Sequence, residues 1–393
     1  MSIETSNIMA DSIFHRRAFI QKLSYSALAL PALWASSTAL SEPVAAAKET
    51  AKEKKAAIGV DPQRVLGVAL VGLGNYAEKQ LAPALLETGK CKLKGIVTGT
   101  PEKAKKWKEK YDIPSKNIYN YENFDSIKDN KDIDIVYVVL PNSMHAEFTI
   151  RAAQAGKHVI CEKPMATTPE DCEKMIEACK KAGKLLSIGY RLHFEPHNLA
   201  MVEYGKQHTF GKITKMIAED GMDIEPGVWR LNKALAGGGP LVDVGIYCVQ
   251  GVIYTTGEIP VSVTAQEGKK TDDKRFKDVE QSMNWQMQFA SGITAECKTS
   301  YAEELNLLRA EASSGWFQLS PAYEYKGLKG ETTTGPLKFP QINQQALQMD
   351  DFANSVLTNK KSKVPGEMGL RDVKILQAIY EAARTGKVVT LNL

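Results

Sequence analysis

"RVLGVALVGLGNYAEKQLAPALLETG", residues 64–89, decides the fold. An apolar run over 65–71 enters Gly72-Leu73-Gly74-Asn75-Tyr76-Ala77, and an amphipathic stretch follows. A G-x-G-x-x-A turn between a strand and a helix is the form of a dinucleotide-binding site. Gly72 allows the tight turn, and Gly74 lets the backbone approach a pyrophosphate. Ala77 lets the helix pack closely on the strand. The amides at that helix start, together with the helix dipole, form an anion site.

A second strand, "KLKGIVT" (92–98), follows at the expected distance. NAD binders usually end this strand on an acid that takes the ribose 2′-hydroxyl. Here it ends on Thr98-Gly99-Thr100, with Lys103, Lys105 and Lys106 close behind. No carboxylate repels a 2′-phosphate, and Thr98 and Lys103 are available to bind one, so NADP is the expected cofactor. Lys105 and Lys106 read as a solvated helix face.

The α/β alternation continues through a connecting helix, a buried strand at 133–140, a loop and another helix. Pro141, Asn142 and His145 stand at the carboxyl end of that strand, where an open parallel sheet binds its ligand. Two readings compete for His145: a cofactor contact, or a helix-start residue satisfied by backbone. The next strand, in "HVICEKPMATT" (158–168), ends on Glu162-Lys163-Pro164 at the same rim, which places Lys163 at the nicotinamide end.

In the second half, "LAGGGPLVDVGIYCVQGVIYTTG" (235–257) gives three glycines, a proline and a helix apolar nearly all round, hence buried. Its polar interruptions, Asp243 and Tyr247, are spaced i, i+4 and share a face. A buried acid and phenol need partners, and Lys163 is the candidate. Residues 281–327 alternate in the manner of antiparallel strands. His193 and His197 flank Glu195, but Pro196 interrupts a regular helix and no third ligand is evident, so no metal site is expected.

The totals agree with a soluble protein of two domains and a leader: 393 residues, 43% apolar and 24% charged. A net charge of +4, with no basic run interleaved with aromatics, argues against nucleic acid. Six cysteines without CxxC or zinc spacing read as reduced. Residues 1–47 read as an export signal. Arg16-Arg17 precede an uncharged stretch at 23–41 and an Ala45-Ala46-Ala47 exit, the twin-arginine type. The competing reading is an uncleaved anchor, but Pro31 and several hydroxyl residues weaken the stretch. Cleavage leaves a periplasmic protein without stable membrane insertion. Residues 48–63 follow as an exposed, lysine-rich arm, then a dinucleotide-binding domain at 64–187 and a substrate and oligomerisation domain at 188–393. The helical stretch 366–386 is expected to pack back near the first domain.

The motifs "VGLGNYA", "LPNSMHAEF", "AGKHVICEKPMAT", "IGYRLHF", "WRLNKALAGGG", "DVGIY" and "LQAIYEAARTGK" resemble the glucose–fructose oxidoreductase and inositol dehydrogenase family of sugar oxidoreductases, over residues 64–390. The resemblance implies a Rossmann domain beside an α+β domain with a large open, mostly antiparallel sheet, which often builds homodimers or homotetramers. It places the family's EKP lysine on Lys163. Its catalytic D-x-x-x-H/Y pair falls on Asp243 and Tyr247, with tyrosine as in the glucose–fructose branch. It implies substrate contacts from Lys163, Trp229, Arg230, Asp243 and Tyr247. The implied cofactor contacts are Gly72, Leu73, Gly74, Asn75, Tyr76, Thr98, Lys103, Leu140, Asn142, His145, Glu162, Lys163 and Arg191. The arm at 48–63 departs from the longer, proline-rich arm of that branch.

The expected reaction is oxidation of an aldose at C1 to an aldonolactone. An ammonium beside the phenol favours its ionised form, so Tyr247 can accept the hydroxyl proton. Lys163 then donates to the reacting oxygen, and Asp243 orients the pair. Three readings compete: an oxidoreductase that keeps its NADP(H) and reduces a second sugar in ping-pong turnover, a dehydrogenase that exchanges its cofactor, and an NAD-assisted glycosidase or non-catalytic sensor.

Overall fold

The computed structural model describes residues 63–393; the leader and all of the arm but Gln63 lie outside the described residues. Six parallel strands form the first sheet: β1 (Leu66–Val71), β2 (Cys91–Val97), β3 (Ile118–Tyr119), β4 (Ile135–Val138), β5 (His158–Cys161) and β6 (Leu186–Ile188). Their order, β3-β2-β1-β4-β5-β6, is that of a doubly wound dinucleotide-binding sheet. Strands β1 and β4 are buried along their whole length, as central parallel strands covered on both faces must be. Helices α1 (Ala82–Glu87), α2 (Pro101–Tyr111), α3 (His145–Gln154) and α4 (Pro169–Lys181) supply the cover. Helix α4 starts cleanly: Thr168 Oγ1 accepts from the Asp171 amide at 3.2 Å and Pro169 takes the first turn. The connection expected as a helix before β4 is instead a 3₁₀ segment, Phe124–Asp129.

Beyond α5 (Pro196–Gln207) lies a nine-stranded sheet made of β7 (Ile213–Asp223), β8 (Pro260–Glu267), β9 (Ser282–Phe289), β10 (Thr294–Ser300), β11 (Ala302–Ala312), β12 (Gly315–Leu319), β13 (Gly330–Thr332), β14 (Gly335–Leu337) and β15 (Val389–Thr390). Its order is β14-β13-β12-β11-β7-β10-β9-β8-β15. Every pair is antiparallel except β7 with β10. A short helix α6 (Lys233–Ala236) leads to α7 (Ile246–Thr256), whose residues are nearly all buried. A single apolar core holds Val138, Cys161 and Met165 of the first half together with Leu241, Tyr247 and Val249 of the second.

The division at residue 187 needs one correction. Helix α8 (Gln344–Thr358) packs Ala346, Met349, Phe352 and Leu357 into the core of β1 and α1. Its Asp350 carboxylate accepts from the Gly89 and Lys90 amides at 2.9 and 2.7 Å, capping the turn before β2. The chain therefore returns to the dinucleotide-binding half after building the second sheet. Helix α9 (Gly366–Thr385) lies against α4, where Lys374 meets Glu173 at 3.2 Å, and feeds β15 into the edge beside β8.

Candidate active site

At the end of β1, Gly72 adopts φ +96°, and a Cβ there would stand 2.6 Å from the Val139 carbonyl oxygen. Only glycine meets both demands. At Gly74 a Cβ would meet nothing within 4 Å, so the backbone there faces open space that a side chain would fill. Such a turn fits a dinucleotide pyrophosphate. Lys103 reaches back to this turn and donates to the Leu73 carbonyl at 3.2 Å. The Thr98 hydroxyl accepts from the Thr100 amide at 3.2 Å. No acid stands at this strand end.

Lys163 follows β5 through a cis peptide to Pro164. Its Nζ donates to the Asp243 backbone oxygen at 2.5 Å and to Asp243 Oδ1 at 3.1 Å. It also stands over the Tyr247 ring, 4.7 Å from the centroid. Burial opposes its charge, but Tyr247 and Asp243 outweigh burial and hold the ammonium above a free lysine's value.

Asp243 lies in a π-helical turn, Leu241–Gly245, that runs into α7. Glu280 fixes the start of this turn by accepting from the Gly239 and Leu241 amides at 3.0 and 3.2 Å, and Tyr380 donates to the same carboxylate at 2.7 Å. A carboxylate at a helix start suits the exposed amides and the dipole. Asp243 Oδ2 meets Arg230 Nε at 2.9 Å and the Tyr301 hydroxyl at 2.9 Å. Burial alone would raise the Asp243 pKa. Arg230 and Lys163 overcome it and keep the carboxyl below the usual range.

The sequence-derived residues thus separate into groups. Lys163, Asp243, Tyr247 and Arg230 come together, and Trp229 stacks on Arg230 at 4.7 Å. Arg191, expected at the cofactor, packs on Tyr247, 5.2 Å from its centroid, and on Tyr325 at 4.4 Å. It also donates to the Glu324 carbonyl at 3.1 Å and to Tyr323 O and Gln344 Oε1. Of the two readings of His145, its ring contacts fit the one satisfied by backbone. The ring is fully buried, with Nδ1 at 2.9 Å from the Pro164 oxygen and Nε2 at 2.9 Å from the Leu140 oxygen. It ties the end of β4 to the Lys163 turn. Glu162 is likewise internal, accepting the Tyr137 hydroxyl at 2.6 Å. Asn142 donates to the Ala236 carbonyl at 2.8 Å, joining the β4 rim to α6. Tyr76 packs against Tyr325 with centroids 5.8 Å apart. His193 and His197 have separate partners, Gln250 at 3.1 Å and Glu195 at 2.7 Å.

Tyr301, Tyr323 and Tyr325 were not anticipated. Tyr323 stacks on Tyr247 at 6.1 Å, and Tyr325 packs against Arg191 and Tyr76. The only advance signal for Tyr323 and Tyr325 is their pairing beside a proline in "SPAYEYKG", residues 320–327.

Comparison with known proteins fits this geometry. Residues 66–190 match the oxidoreductase family with an NAD-binding Rossmann fold, and residues 199–313 match the GFO/IDH/MocA C-terminal domain. The chain is 29% identical to D-xylose 1-dehydrogenase [NADP(+)] of Haloarcula marismortui, covering 82% of this chain and 92% of that protein. It is 28% identical to D-glucoside 3-dehydrogenase of Escherichia coli, covering 83% and 97%. The structure of aldose-aldose oxidoreductase from Caulobacter crescentus, complexed with glycerol, superposes with a TM-score of 0.82 at 45% identity, covering 84% of this chain and 100% of that one. Levoglucosan dehydrogenase, solved with NADH and levoglucosan, shares the fold at TM-score 0.73 and 21% identity. With both halves matched in order and these relatives aligned across them, the chain belongs to the GFO/IDH/MocA family and is a sugar oxidoreductase acting on CH–OH groups.

Proposed function

We propose that this enzyme oxidises an aldose at C1 to an aldonolactone, with Lys163, Asp243 and Tyr247 as its catalytic residues and NADP as its cofactor. The observation that carries the reading is the position of Lys163 Nζ, hydrogen-bonded to Asp243 and set over the Tyr247 ring. When bound at the glycine turn, the nicotinamide cofactor supplies the electron-pair acceptor. Tyr247 takes the hydroxyl proton, and the cations Lys163 and Arg191 beside its ring offset the negative charge that develops. Asp243, held by Arg230 and Tyr301, keeps Lys163 in place and offers its carboxylate edge to a sugar hydroxyl.

NADP over NAD rests on Thr98 and Lys103 at an acid-free strand end, and on the NADP(+) in the name of the Haloarcula relative. The twin-arginine leader supports a periplasmic site of action, where no nucleotide pool refills an exchangeable cofactor. A tightly held cofactor recycled by a second sugar follows from that. A second copy would pack on the uncovered face of the nine-stranded sheet, which carries Thr264, Asn284, Gln286 and Lys298. The deciding experiment is an absorbance spectrum of the purified protein before and after adding glucose or xylose. A rise near about 340 nm on sugar addition, reversed by a second sugar, is expected. A protein that copurifies without nucleotide and needs free NADP in excess would instead be an ordinary dehydrogenase.

A further inference from the structure

Six acidic side chains are buried among the described residues: Glu162, Glu195, Asp220, Asp243, Glu280 and Asp372. Five are hydrogen-bonded within the protein, as buried acids must be. Glu162 accepts from Tyr137, and Glu195 pairs with His197 and Asn198. Asp243 is held by Lys163 and Tyr301, Glu280 by two amides and Tyr380, and Asp372 by Gln250 and Arg371. Asp220, only 7% exposed, has no hydrogen-bond partner for its carboxyl among the described residues. Its oxygens are not sealed off either, and keep a little accessible surface.

Its position in the sheet shows what that surface faces. On β7, Asp220 points to the same side as the buried Met216 and Ala218, toward α7. Its neighbours across the sheet are Thr299 of β10 and Asn306 of β11. Thr299 donates to the Pro240 carbonyl at 3.2 Å, directly before the turn that holds Asp243. Asn306 accepts from the Ala322 and Tyr323 amides at 2.6 and 2.9 Å and so anchors the loop of Tyr323 and Tyr325. Asp220 thus stands between the supports of the two segments that flank Tyr247. The charges of Lys163, Arg191, Asp243 and Glu324 all reach it.

We propose that Asp220 is a substrate-recognition residue whose carboxyl hydrogen-bonds a sugar hydroxyl other than the one oxidised, from the sheet side of the Lys163–Tyr247 cluster. The assignment rests on the aldose-oxidising reading above. The reacting oxygen is already served by Tyr247 and Lys163, which leaves this acid for a different hydroxyl. Burial raises its pKa well above the usual range, against the pull of Lys163 and Arg191, and favours the neutral acid. A neutral carboxyl donates and accepts at once, as a sugar hydroxyl does. A polyol is therefore a natural partner, and an apolar ligand would leave the acid unsatisfied.

The test uses the cofactor-loaded enzyme, an aldose it turns over, and that sugar's singly deoxygenated analogues at positions other than C1. Wild type should reject one analogue by roughly tenfold to a hundredfold in kcat/KM. Asp220→Ala should lose about that factor on the parent sugar, mostly through KM, and lose nothing on that one analogue. Asp220→Leu, which suits the apolar row of Met216 and Ala218, should show the same selective loss together with a raised Tm, because an unpaired buried acid has been removed. It also decides the matter if the alanine variant does not fold. Equal losses on the parent and on every analogue would mean that Asp220 acts only through the fold, and would overturn the assignment. If wild type turns over no aldose while retaining nucleotide, the aldose reading falls and the Asp220 assignment falls with it. If aldoses react but no analogue responds to Asp220, only the assignment falls.

Discussion

The glycine turn at 72–77 and the cluster around Asp243 both serve the carboxyl edge of the first sheet, but they are assembled in opposite ways. The turn is built by six consecutive residues, and at Gly74 it is open. Asp243 is enclosed by partners from three other segments, two of them far off in sequence: Lys163 is 80 positions away, Tyr301 is 58, and Arg230 comes from the segment before α6. A local turn depends on backbone conformation and on room for its ligand. A long-range cluster depends on charges that balance only when the whole second domain is folded. Substitutions in the two regions should therefore fail differently.

The largest expected effect lies in the cluster. Tyr247→Phe keeps the ring between Lys163 and Arg191 and removes only the hydroxyl, so nucleotide retention should be unchanged. The sugar-driven absorbance rise in a stopped-flow single turnover should slow roughly a hundredfold to ten-thousandfold, the contribution of a general acid–base group. A near-normal rate with cofactor in place would move the proton acceptor to Asp243 or Lys163.

Next comes a contrast inside the turn. Gly72→Ala forces a Cβ to 2.6 Å from the Val139 oxygen at φ +96°, so denaturant unfolding should show a loss on the order of 3 kcal/mol. Gly74→Ala meets no protein atom. It should leave the cofactor-free stability within about 1 kcal/mol and weaken nucleotide binding instead. Similar stability losses in both variants would show that the space at Gly74 is not kept for a ligand. Smaller again is the cofactor-choice effect. Thr98→Asp should cost about 2 kcal/mol in NADP affinity relative to NAD, by titration of the apoprotein, through repulsion of the 2′-phosphate. Equal loss for both nucleotides would remove Thr98 from that role.

The same contrast explains what could be read before the structure. The Rossmann strands, the glycine turn and the rim position of Lys163 follow from rules acting over a few residues, and they were legible. The Asp243–Tyr247 pair was legible as one helical face, although the residues around Asp243 wind as a π turn rather than an α turn. Tyr301, Asp220 and the loop of Tyr323 and Tyr325 were not legible, because strand pairing across β7, β10 and β11 brings them to the site and no local pattern encodes that register. Helix α8 was missed for the same reason. Its apolar face is plain, but its docking on β1 is a choice made more than 250 positions away, as the Asp350 bond to Lys90 shows. Arg191 and His145 lie at the expected edge, but their protein partners Tyr247, Tyr325 and Pro164 come from later segments, which no local pattern encodes.

The smallest effect compares two histidines that burial holds neutral, one in each region. His158 opens β5, and its Nδ1 accepts from the Leu185 amide at 3.1 Å; burial lowers its pKa to about 4, with Lys184 adding to the shift. Burial also lowers His193 to about 4, and its ring meets Gln250 of α7, which in turn donates to Asp372 at 2.6 Å. An unfolded histidine titrates near about 6.5, so the native state binds fewer protons than the unfolded one. The stability held above that value is lost as pH falls from about 6.5 towards 4. At about pH 5.5 each histidine should account for roughly 1 kcal/mol of the decline. His158→Gln should flatten the pH dependence of unfolding and leave sugar turnover at neutral pH unchanged, because the start of β5 is far along the strand from the Lys163 turn. His193→Gln should flatten it equally and also slow turnover, because it disturbs the Gln250–Asp372 link behind α7. Denaturant melts across this pH range, with turnover measured on the same samples, separate the two. Equal turnover in both variants would show that the packing behind α7 is as indifferent to its neighbours as the far end of the first sheet.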